Sequence, residues 1–328
     1  PRGALLSRFK VGLLLGLLLL LQCGCTAASN PLVRAEATNV PGLSMELHAA
    51  SASDSNTDQQ TATLYFGYLD LPMLASETRV LTVRRDESNE LAIVRALLEG
   101  PTAGHLELVR LFPENVQVED VTARDGVLFV TFNAALLNEP PRGDAAAEAI
   151  SRLPLQRKLA MQSLVASLTE SYPYTNVQVM VSRDNGAQTS LRLNNSYFLN
   201  GDGGISDPLT RDESLLLTPQ NTALCLLRAW QERDFDVLYS LTASYDGAQS
   251  RPVYDRFAEA LDVAPALGEY SATGGSVAID GANAVTTVQL SLSSEAQGAL
   301  PIRYPLQLIR ENGVWKVTYQ ALAGLMLR

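Results

Sequence analysis

The sequence predicts an α+β protein with two small domains, in which helices pack on short β-sheets. Amphipathic segments of helical period alternate with short runs rich in β-branched residues, and Asp-Gly or Asn-Gly pairs separate several of these runs. The composition, 46% hydrophobic and 18% charged, is typical of globular proteins. A length of 328 residues fits two domains of about 100–200 residues each. We place them at 61–200 and 217–328, with a Gly- and Asp-rich linker at 201–216.

Residues 1–24 have the pattern of a signal peptide. A basic start with Arg2, Arg8 and Lys10 precedes an apolar run from Val11 to Leu21. Eleven residues in a helix span about half of a 30 Å hydrocarbon core, so this run is too short for a stable membrane span. We therefore expect the chain to be exported.

The segment that follows the apolar run, Leu21-Gln22-Cys23-Gly24-Cys25, resembles the lipobox of bacterial lipoproteins. In that family a small residue precedes the lipidated cysteine, which fits Gly24 and Cys25 and makes Cys23 the poorer candidate. The resemblance implies lipidation of Cys25 and anchoring to the outer face of the cytoplasmic membrane. Ordinary cleavage with release of a free secreted protein is the alternative.

Residues 25–60 are rich in small and polar residues and predict a flexible tether. The stretch from Ala49 to Thr63 has almost no side chain to bury. His48 lies in this tether, and we expect it to be an exposed histidine without a function.

The first domain is predicted to follow the order β-β-α-β-β-α-β, with two helices on one face of a small mixed sheet. Ser88 is the expected N-cap of the first helix, Gly100-Pro101 its end, and Asp125-Gly126 a hairpin turn. Pro72 is expected to interrupt the first strand. The predicted elements are strands at Thr61–Leu69, Thr78–Arg84, Val116–Ala123, Val127–Phe132 and Val177–Val181, a helix ending at Gly100, a helix at Leu155–Glu170, and a last turn at Asn185-Gly186.

This first domain resembles the GerMN domain of sporulation and germination lipoproteins over about 120 residues. The resemblance is most specific in Leu97-Leu98-Glu99-Gly100-Pro101, and it extends from Thr63-Leu64-Tyr65-Phe66 through Val130-Thr131-Phe132 to Asn176-Val177-Gln178-Val179. It implies a fold like the ring-building motif of secretion-channel proteins, with no known catalytic residues. It also implies an assembly or scaffolding role at the envelope, in sporulation or germination. The same domain occurs in lipoproteins of bacteria that do not sporulate.

The second domain predicts helices first and then an antiparallel curved sheet. Thr218-Pro219 is a favoured helix start, and Glu311-Asn312-Gly313 supplies a turn between strands. The predicted elements are a helix from Thr218, a short helix after Asp234, a helix at Pro252–Leu261, and strands at Tyr270–Ile279, Ala284–Leu292, Ile302–Arg310 and Val314–Tyr319. The ending Asn312–Val317 is similar to the nuclear transport factor two-like fold, a cone that hosts both enzymes and non-catalytic scaffolds.

The residues suited to chemistry are few and scattered, so we predict no catalytic residue, no metal site and no cofactor. No histidine follows His105, which is expected in a surface loop. Asp255 and Glu259 are four apart and share a helix face, but an exposed acidic face explains them best. Cys225 is expected to be a buried, inert thiol because no histidine accompanies it in its domain. Neither Gly201–Gly204 nor the Asp-rich stretch at 202–213 has the context of a phosphate or calcium site.

The net charge of −10 argues against nucleic-acid partners. Removing the leader, which has three basic and no acidic residues, leaves 22 basic and 35 acidic residues. The leading hypothesis is an interaction protein that docks on envelope proteins or on further copies of itself, with the lipid anchor as its membrane contact. The alternatives are a module that binds a small ligand or a peptidoglycan fragment within the second domain's cone, in an envelope signalling system, and an enzyme that uses Asp255 or Glu259.

Overall fold

The computed structural model describes residues 57–137, 146–182, 190–198, 203–247, 249–292 and 301–327. Cys25, His48 and the turn predicted at Asn185-Gly186 lie outside these ranges. The described residues belong to one compact unit. The predicted α+β class is confirmed, with small sheets, six described helices and a curled antiparallel sheet at the C-terminal end.

The first sheet is a long hairpin with a two-residue edge strand. It contains β1 (Thr57–Tyr68), β2 (Leu71–Arg84) and β3 (Leu108–Val109), in the order β2-β1-β3. Pro72 does not interrupt a strand, contrary to the prediction. It lies near the start of β2, where the β1–β2 register shifts and Pro72 has no partner residue. Because no ladder hydrogen bond is required there, the missing N–H of proline costs nothing.

The first helix, α1 (Asn89–Glu99), begins and ends where the sequence predicts. The Ser88 hydroxyl accepts a hydrogen bond from the Leu91 N–H at 3.1 Å. Gly100 ends the helix at φ 92°, a conformation that side chains disfavour. The buried face of α1 contains Ile93, Val94 and Leu97.

A second, mixed sheet contains β4 (Val118–Arg124), β5 (Val127–Phe132), β6 (Asn176–Ser182) and β7 (Ser190–Arg192), in that order. The β5–β6 pair is parallel and the other pairs are antiparallel. Asp125 and Gly126 both have positive φ, 52° and 78°, as a two-residue hairpin turn between right-twisted strands requires. The sequence predicted one small mixed sheet for all these strands, whereas the structure has two, because β1 and β2 pair with β3 in a sheet of their own.

The helix α2 (Ala146–Thr169) connects β5 to β6 and starts nine residues before the predicted boundary, with Pro154 inside it. It packs on β1, where Ser163 and Ser167 bond the backbone of Tyr65. The Tyr65 N–H donates to Ser167 Oγ at 2.9 Å, and Ser163 Oγ donates to the Tyr65 carbonyl at 2.5 Å. Two serines one helical turn apart thus satisfy the open edge of β1 at this point.

The C-terminal part has three helices, a four-stranded antiparallel sheet and a last helix. The helices are α3 (Pro219–Glu232), α4 (Phe235–Ser240) and α5 (Tyr254–Asp262); the strands are β8 (Leu267–Val277), β9 (Asn283–Leu292), β10 (Ile302–Glu311) and β11 (Val314–Val317), in the order β11-β10-β9-β8; and α6 (Tyr319–Met326) follows. The sequence did not predict α6, whose first residue had been included in the last strand. The Thr318 hydroxyl caps α6 by accepting from the Ala321 N–H, and Leu322 and Met326 pack inward.

The interior of the curled sheet is filled by side chains of the protein itself. Trp230 and Phe257 are 2% and 0% exposed, and Leu227, Leu261 and Leu306 are similarly buried. The Trp230 indole N–H donates to the Pro265 carbonyl at 3.0 Å. Among the described residues, side chains of the protein itself therefore occupy the place where a ligand was considered.

The segment predicted as a linker is folded against the first domain from residue 203 onward. Leu209 exchanges backbone hydrogen bonds with Val177 at 2.8 and 2.9 Å. The Leu217 N–H donates to the Leu74 carbonyl at 2.8 Å. Buried side chains of both predicted domains belong to one continuous apolar cluster. No described helix is long and apolar enough to cross a membrane.

Candidate functional site

The structure does not bring the sequence-predicted reactive side chains together. Asp255 and Glu259 are both exposed on α5. Cys225 is half-buried on α3, and burial raises the pKa of its thiol, which lowers the thiolate fraction at neutral pH. His105 lies in the loop between α1 and β3, as expected. Within the described ranges, no group of three or more His, Cys, Asp or Glu side chains is placed to bind a metal ion.

His105 does line a cavity of about 200 Å³ where the two predicted domains meet. One side of the cavity is the loop at 104–108 of the first domain. The other side is formed by the β10–β11 hairpin together with Ser244 and Arg251. We call this place the junction.

Lys316 on β11 is the centre of the junction. Its side chain is only 3% exposed, and its ammonium group lies 2.6 Å from Glu107 Oε1 and 3.2 Å from Glu311 Oε2. Glu107 belongs to the first domain and Glu311 to the second. A single buried cation therefore pairs with one carboxylate from each side, which compensates the cost of removing it from water.

Glu311 is fixed by further contacts. The Ser244 N–H donates to its Oε1 at 3.1 Å, and the Ser244 hydroxyl donates to the same oxygen. Burial alone would raise the pKa of Glu311, but Ser244 and the Lys316 ammonium hold that pKa below its ordinary value. The carboxylate is thus kept ionised and in place.

Arg251 supplies a second cation to the junction, and its guanidinium is also engaged. It donates to the carbonyl groups of Tyr239 and Thr242 and lies 3.6 Å from the centre of the Tyr239 ring. These contacts hold Arg251 against the loop that follows α4.

Uncharged hydrogen bonds and one close backbone approach surround the ion cluster. The Tyr68 hydroxyl donates to the Ser240 carbonyl at 2.8 Å, and Ser76 Oγ donates to the Gly313 carbonyl at 3.1 Å. A Cβ atom on Gly313 would lie 2.2 Å from the Ser76 carbonyl oxygen, so only glycine fits against β2 at this point. Gly313 also has φ 85° in the β10–β11 turn. Burial, followed by the nearby Glu107 charge, raises the pKa of Tyr68 well above its ordinary value.

A second charge network lies within the first domain, at the Leu-Leu-Glu-Gly-Pro segment. Glu77 is 1% exposed and accepts from Arg79 Nε at 2.9 Å and from the Thr102 N–H at 3.1 Å. Arg79 in turn donates to the Gly100 carbonyl at 2.9 Å. Although burial would raise the pKa of Glu77, Arg79 and Thr102 lower it. This network fixes the end of α1 to β2.

A third cluster connects β1, α2 and the segment before α3. Arg211 pairs with Glu170 at 2.6 Å and with Glu213 at 2.7 Å, and lies over the Tyr65 ring at 5.3 Å. Burial and the Glu170 charge raise the pKa of Tyr65 to about 12, so this phenol stays protonated at neutral pH. Here again the charged groups connect elements of the fold.

Sequence reasoning did not select Lys316, Glu107 or Glu311. One signal was available, because Lys316 interrupts an otherwise apolar strand, Val314-Trp315-Lys316-Val317. A lysine flanked by large apolar residues in a central position indicates a buried cation that needs a partner. The partner Glu107 is 209 residues distant, so only the fold identifies it.

Residues 63–184 match a protein-family model, which is described as "Germane: Sporulation and spore germination". This confirms the GerMN-like reading of the first domain. The second domain's likeness to the nuclear transport factor two-like fold and the lipoprotein assignment stay predictions. No curated protein matches the chain.

Three solved structures are similar over about half of the chain. The tandem GerMN domains of the sporulation protein GerM from Bacillus subtilis share 18% identity over 47% of this chain and 45% of that chain, with a TM-score of 0.32. A putative lipoprotein from Clostridium perfringens shares 14% identity over 48% of this chain and 90% of that chain, with a TM-score of 0.27. The first GerMN domain of GerM shares 18% identity over 46% of this chain and 98% of that chain, also at 0.27. The chain thus spans less than half of the tandem GerMN structure.

Proposed function

We propose that the protein is a non-catalytic lipoprotein of the cell envelope, which acts as an assembly or interaction module in sporulation or spore germination. The match of residues 63–184 to the sporulation and germination family is the observation on which this proposal rests. The partners are other envelope proteins or further copies of the same chain, and the membrane contact is the lipid on Cys25.

The arrangement of charge supports an interaction role over a catalytic one. At the junction, Lys316 and Arg251 are engaged by carboxylates, carbonyl groups and a ring. In the first domain, Glu77 and Arg79 stabilise one another and the end of α1. Groups that are paired and hydrogen-bonded in this way stabilise one geometry of the fold. The result is a fixed body that can present surfaces to partners.

Deletion of the gene in its host tests the assembly role. We expect the deletion to lower the yield of heat-resistant spores, or their germination, at least tenfold, and the intact gene to restore it. Complementation with Lys316→Met tests the junction. Lys158→Met is the matched control, because that lysine is 53% exposed and its ion pair with Asp212, at 3.3 Å, lies at the surface. Normal spore yield and normal germination in the deletion strain would contradict the proposed role.

Fractionation of cells tests the anchor. We expect the wild-type protein in the membrane fraction and the Cys25→Ser variant in the medium or as an uncleaved precursor. Cys23→Ser is the matched control, because Cys23 is two residues away and is preceded by Gln22 instead of a small residue. A wild-type protein free in the medium, or loss of anchoring by Cys23→Ser instead of Cys25→Ser, would refute this assignment.

A further inference from the structure

A cavity of about 450 Å³ lies between α1 and the start of β4, away from the junction. We call it the α1–β4 cavity. Its floor is apolar and consists of Leu91, Leu98, Val116 and Val118. Leu98 and Val116 are 7% and 3% exposed, so the floor is continuous with the core of the first domain. The volume and the apolar floor are those of sites that bind small molecules or single side chains of a partner.

Arg110 also lines this cavity, and no ion pair of its side chain is found among the described residues. Its aliphatic stem packs on Gly100, so closely that a Cβ on that glycine would lie 3.4 Å from the Arg110 Cβ and Cδ atoms. The Arg110 Nε is buried and has no hydrogen-bond partner among the described residues. Arg95, on the same cavity, differs because it pairs with Glu87 at 2.8 Å.

A buried guanidinium donor without an acceptor is unusual, because buried polar groups are nearly always hydrogen-bonded. The acceptor that fits an arginine best is a carboxylate or another oxyanion. Arg84 also lines the cavity, and its side chain makes no ion pair or hydrogen bond within the described part of the chain. Within the described ranges, Arg110 and the exposed Arg84 thus line the cavity without a side-chain hydrogen bond or ion pair.

The charges at the rim limit what the oxyanion can be. Glu99 and Glu114 also line the cavity and are exposed. Two carboxylates at the rim repel a dianion such as phosphate more strongly than they repel a single carboxylate. They also favour amide or ammonium donors on the same ligand, as a peptide provides. The combination of apolar floor, arginine wall and acidic rim thus fits a peptide with one carboxylate next to an apolar side chain.

We propose that the α1–β4 cavity binds a segment of a partner protein in which an apolar side chain is followed by a carboxylate. The apolar side chain contacts Leu98 and Val116, and the carboxylate accepts from the Arg110 guanidinium. This inference deepens the proposed interaction role and rests on it, because it names the chemistry of one partner segment.

Binding of small probes to the purified full-length chain tests the proposal. N-acetyl-leucine presents the isobutyl group and the carboxylate, and N-acetyl-leucinamide keeps the isobutyl group and lacks the charge. We expect saturable binding of the acid, measured by calorimetry or by NMR shifts of the Leu98 and Val116 methyl groups. We expect the amide to bind at least tenfold more weakly.

Substitution of arginines gives a second test of the proposal. Arg110→Gln should weaken binding of the acid at least tenfold, whereas Arg124→Gln should leave it unchanged, because Arg124 is an exposed arginine on β4 outside the cavity. Equal binding of the acid and the amide, absence of saturable acid binding, or unchanged binding in folded Arg110→Gln would each overturn the proposal. If Arg110→Gln does not fold, the difference in binding between the acid and the amide on the wild-type chain still tests the proposal. Failure here leaves the spore phenotype of the deletion unaffected, so the two proposals are separable.

Discussion

Replacement of Lys316 by methionine should loosen the contact between the two parts of the chain. Methionine keeps most of the length and apolar stem of lysine, so it fills the same volume and removes only the ammonium group. The substitution leaves Glu107 and Glu311 without their shared cation. Two carboxylates that meet one buried cation would then repel one another instead.

The expected loss of stability follows from the burial of the three side chains. Removing one member of a fully buried ion pair costs about 3–5 kcal/mol, because a charge is left without compensation. The side chain of Lys316 is 3% exposed, but those of Glu107 and Glu311 are 32% and 20% exposed, so water can solvate them in part. We therefore expect the free energy of unfolding to fall by about 2–3 kcal/mol. For a unit of this size this lowers Tm by about 4–10 °C.

Urea unfolding of the purified chain, followed by tryptophan fluorescence, measures this loss, since Trp230 and Trp315 both lie in the affected part. A double-mutant cycle with Glu107→Gln isolates the interaction across the junction. We expect a coupling free energy of about 1–3 kcal/mol between Lys316 and Glu107, as for hydrogen bonds to charged groups.

The matched control is Lys158→Met, on the surface of α2. Lys158 is 53% exposed and lies 3.3 Å from Asp212, so we expect a loss below about 1 kcal/mol. Equal losses for the two lysine variants, or a coupling free energy near zero between Lys316 and Glu107, would refute the reasoning that the buried cation stabilises the junction.

Three further substitutions test other contacts. Gly313→Ala should destabilise the protein by clearly more than Gly126→Ala. Both glycines have positive φ, but only at Gly313 would the new Cβ lie 2.2 Å from a carbonyl oxygen of β2. Equal losses of Tm in the two variants would contradict this. Ser167→Ala should lower the free energy of unfolding by about 1–3 kcal/mol in chemical denaturation, because it leaves the buried Tyr65 N–H without an acceptor; an unchanged midpoint would show that the N–H finds another partner. The lowered pKa of Glu77 predicts a stabilisation that is present above the ordinary value of about 4.5 and is lost as the pH falls toward the folded-state pKa. Glu77→Gln should therefore flatten the dependence of stability on pH below about 4.5, and a parallel curve at lower stability would argue against the linkage.

Local signals in the sequence were sufficient for most of the secondary structure. The serine cap of α1, its glycine end and the Asp125-Gly126 turn each depend on residues close together in the chain, and all three are confirmed. The errors have local causes too. Pro72 was expected to interrupt a strand, although it lies where the register shifts and no hydrogen bond is needed. The helix α6 is only eight residues long and follows directly on a strand, so its period could not be separated from that strand.

The junction was outside the reach of sequence reasoning, because its contacts join residues that are far apart in the chain. Tyr68 bonds the backbone of Ser240, and Ser76 bonds that of Gly313. Each of these residues has an ordinary explanation when it is read alone. Arg110 likewise has no distinguishing pattern in the sequence. Only the fold packs its stem near Gly100 and buries its Nε without a hydrogen-bond partner among the described residues.

The sequence by itself determined the α+β class, the caps and turns of most elements, and the GerMN likeness of the first domain, because these depend on the side-chain period and on short motifs. Tertiary structure alone decided that the cone is filled, that β1–β2 forms its own sheet, and that Lys316 joins two carboxylates from different parts of the chain. The physical reason is that burial and charge pairing are properties of neighbours in space. Those neighbours are fixed only when the whole chain has packed.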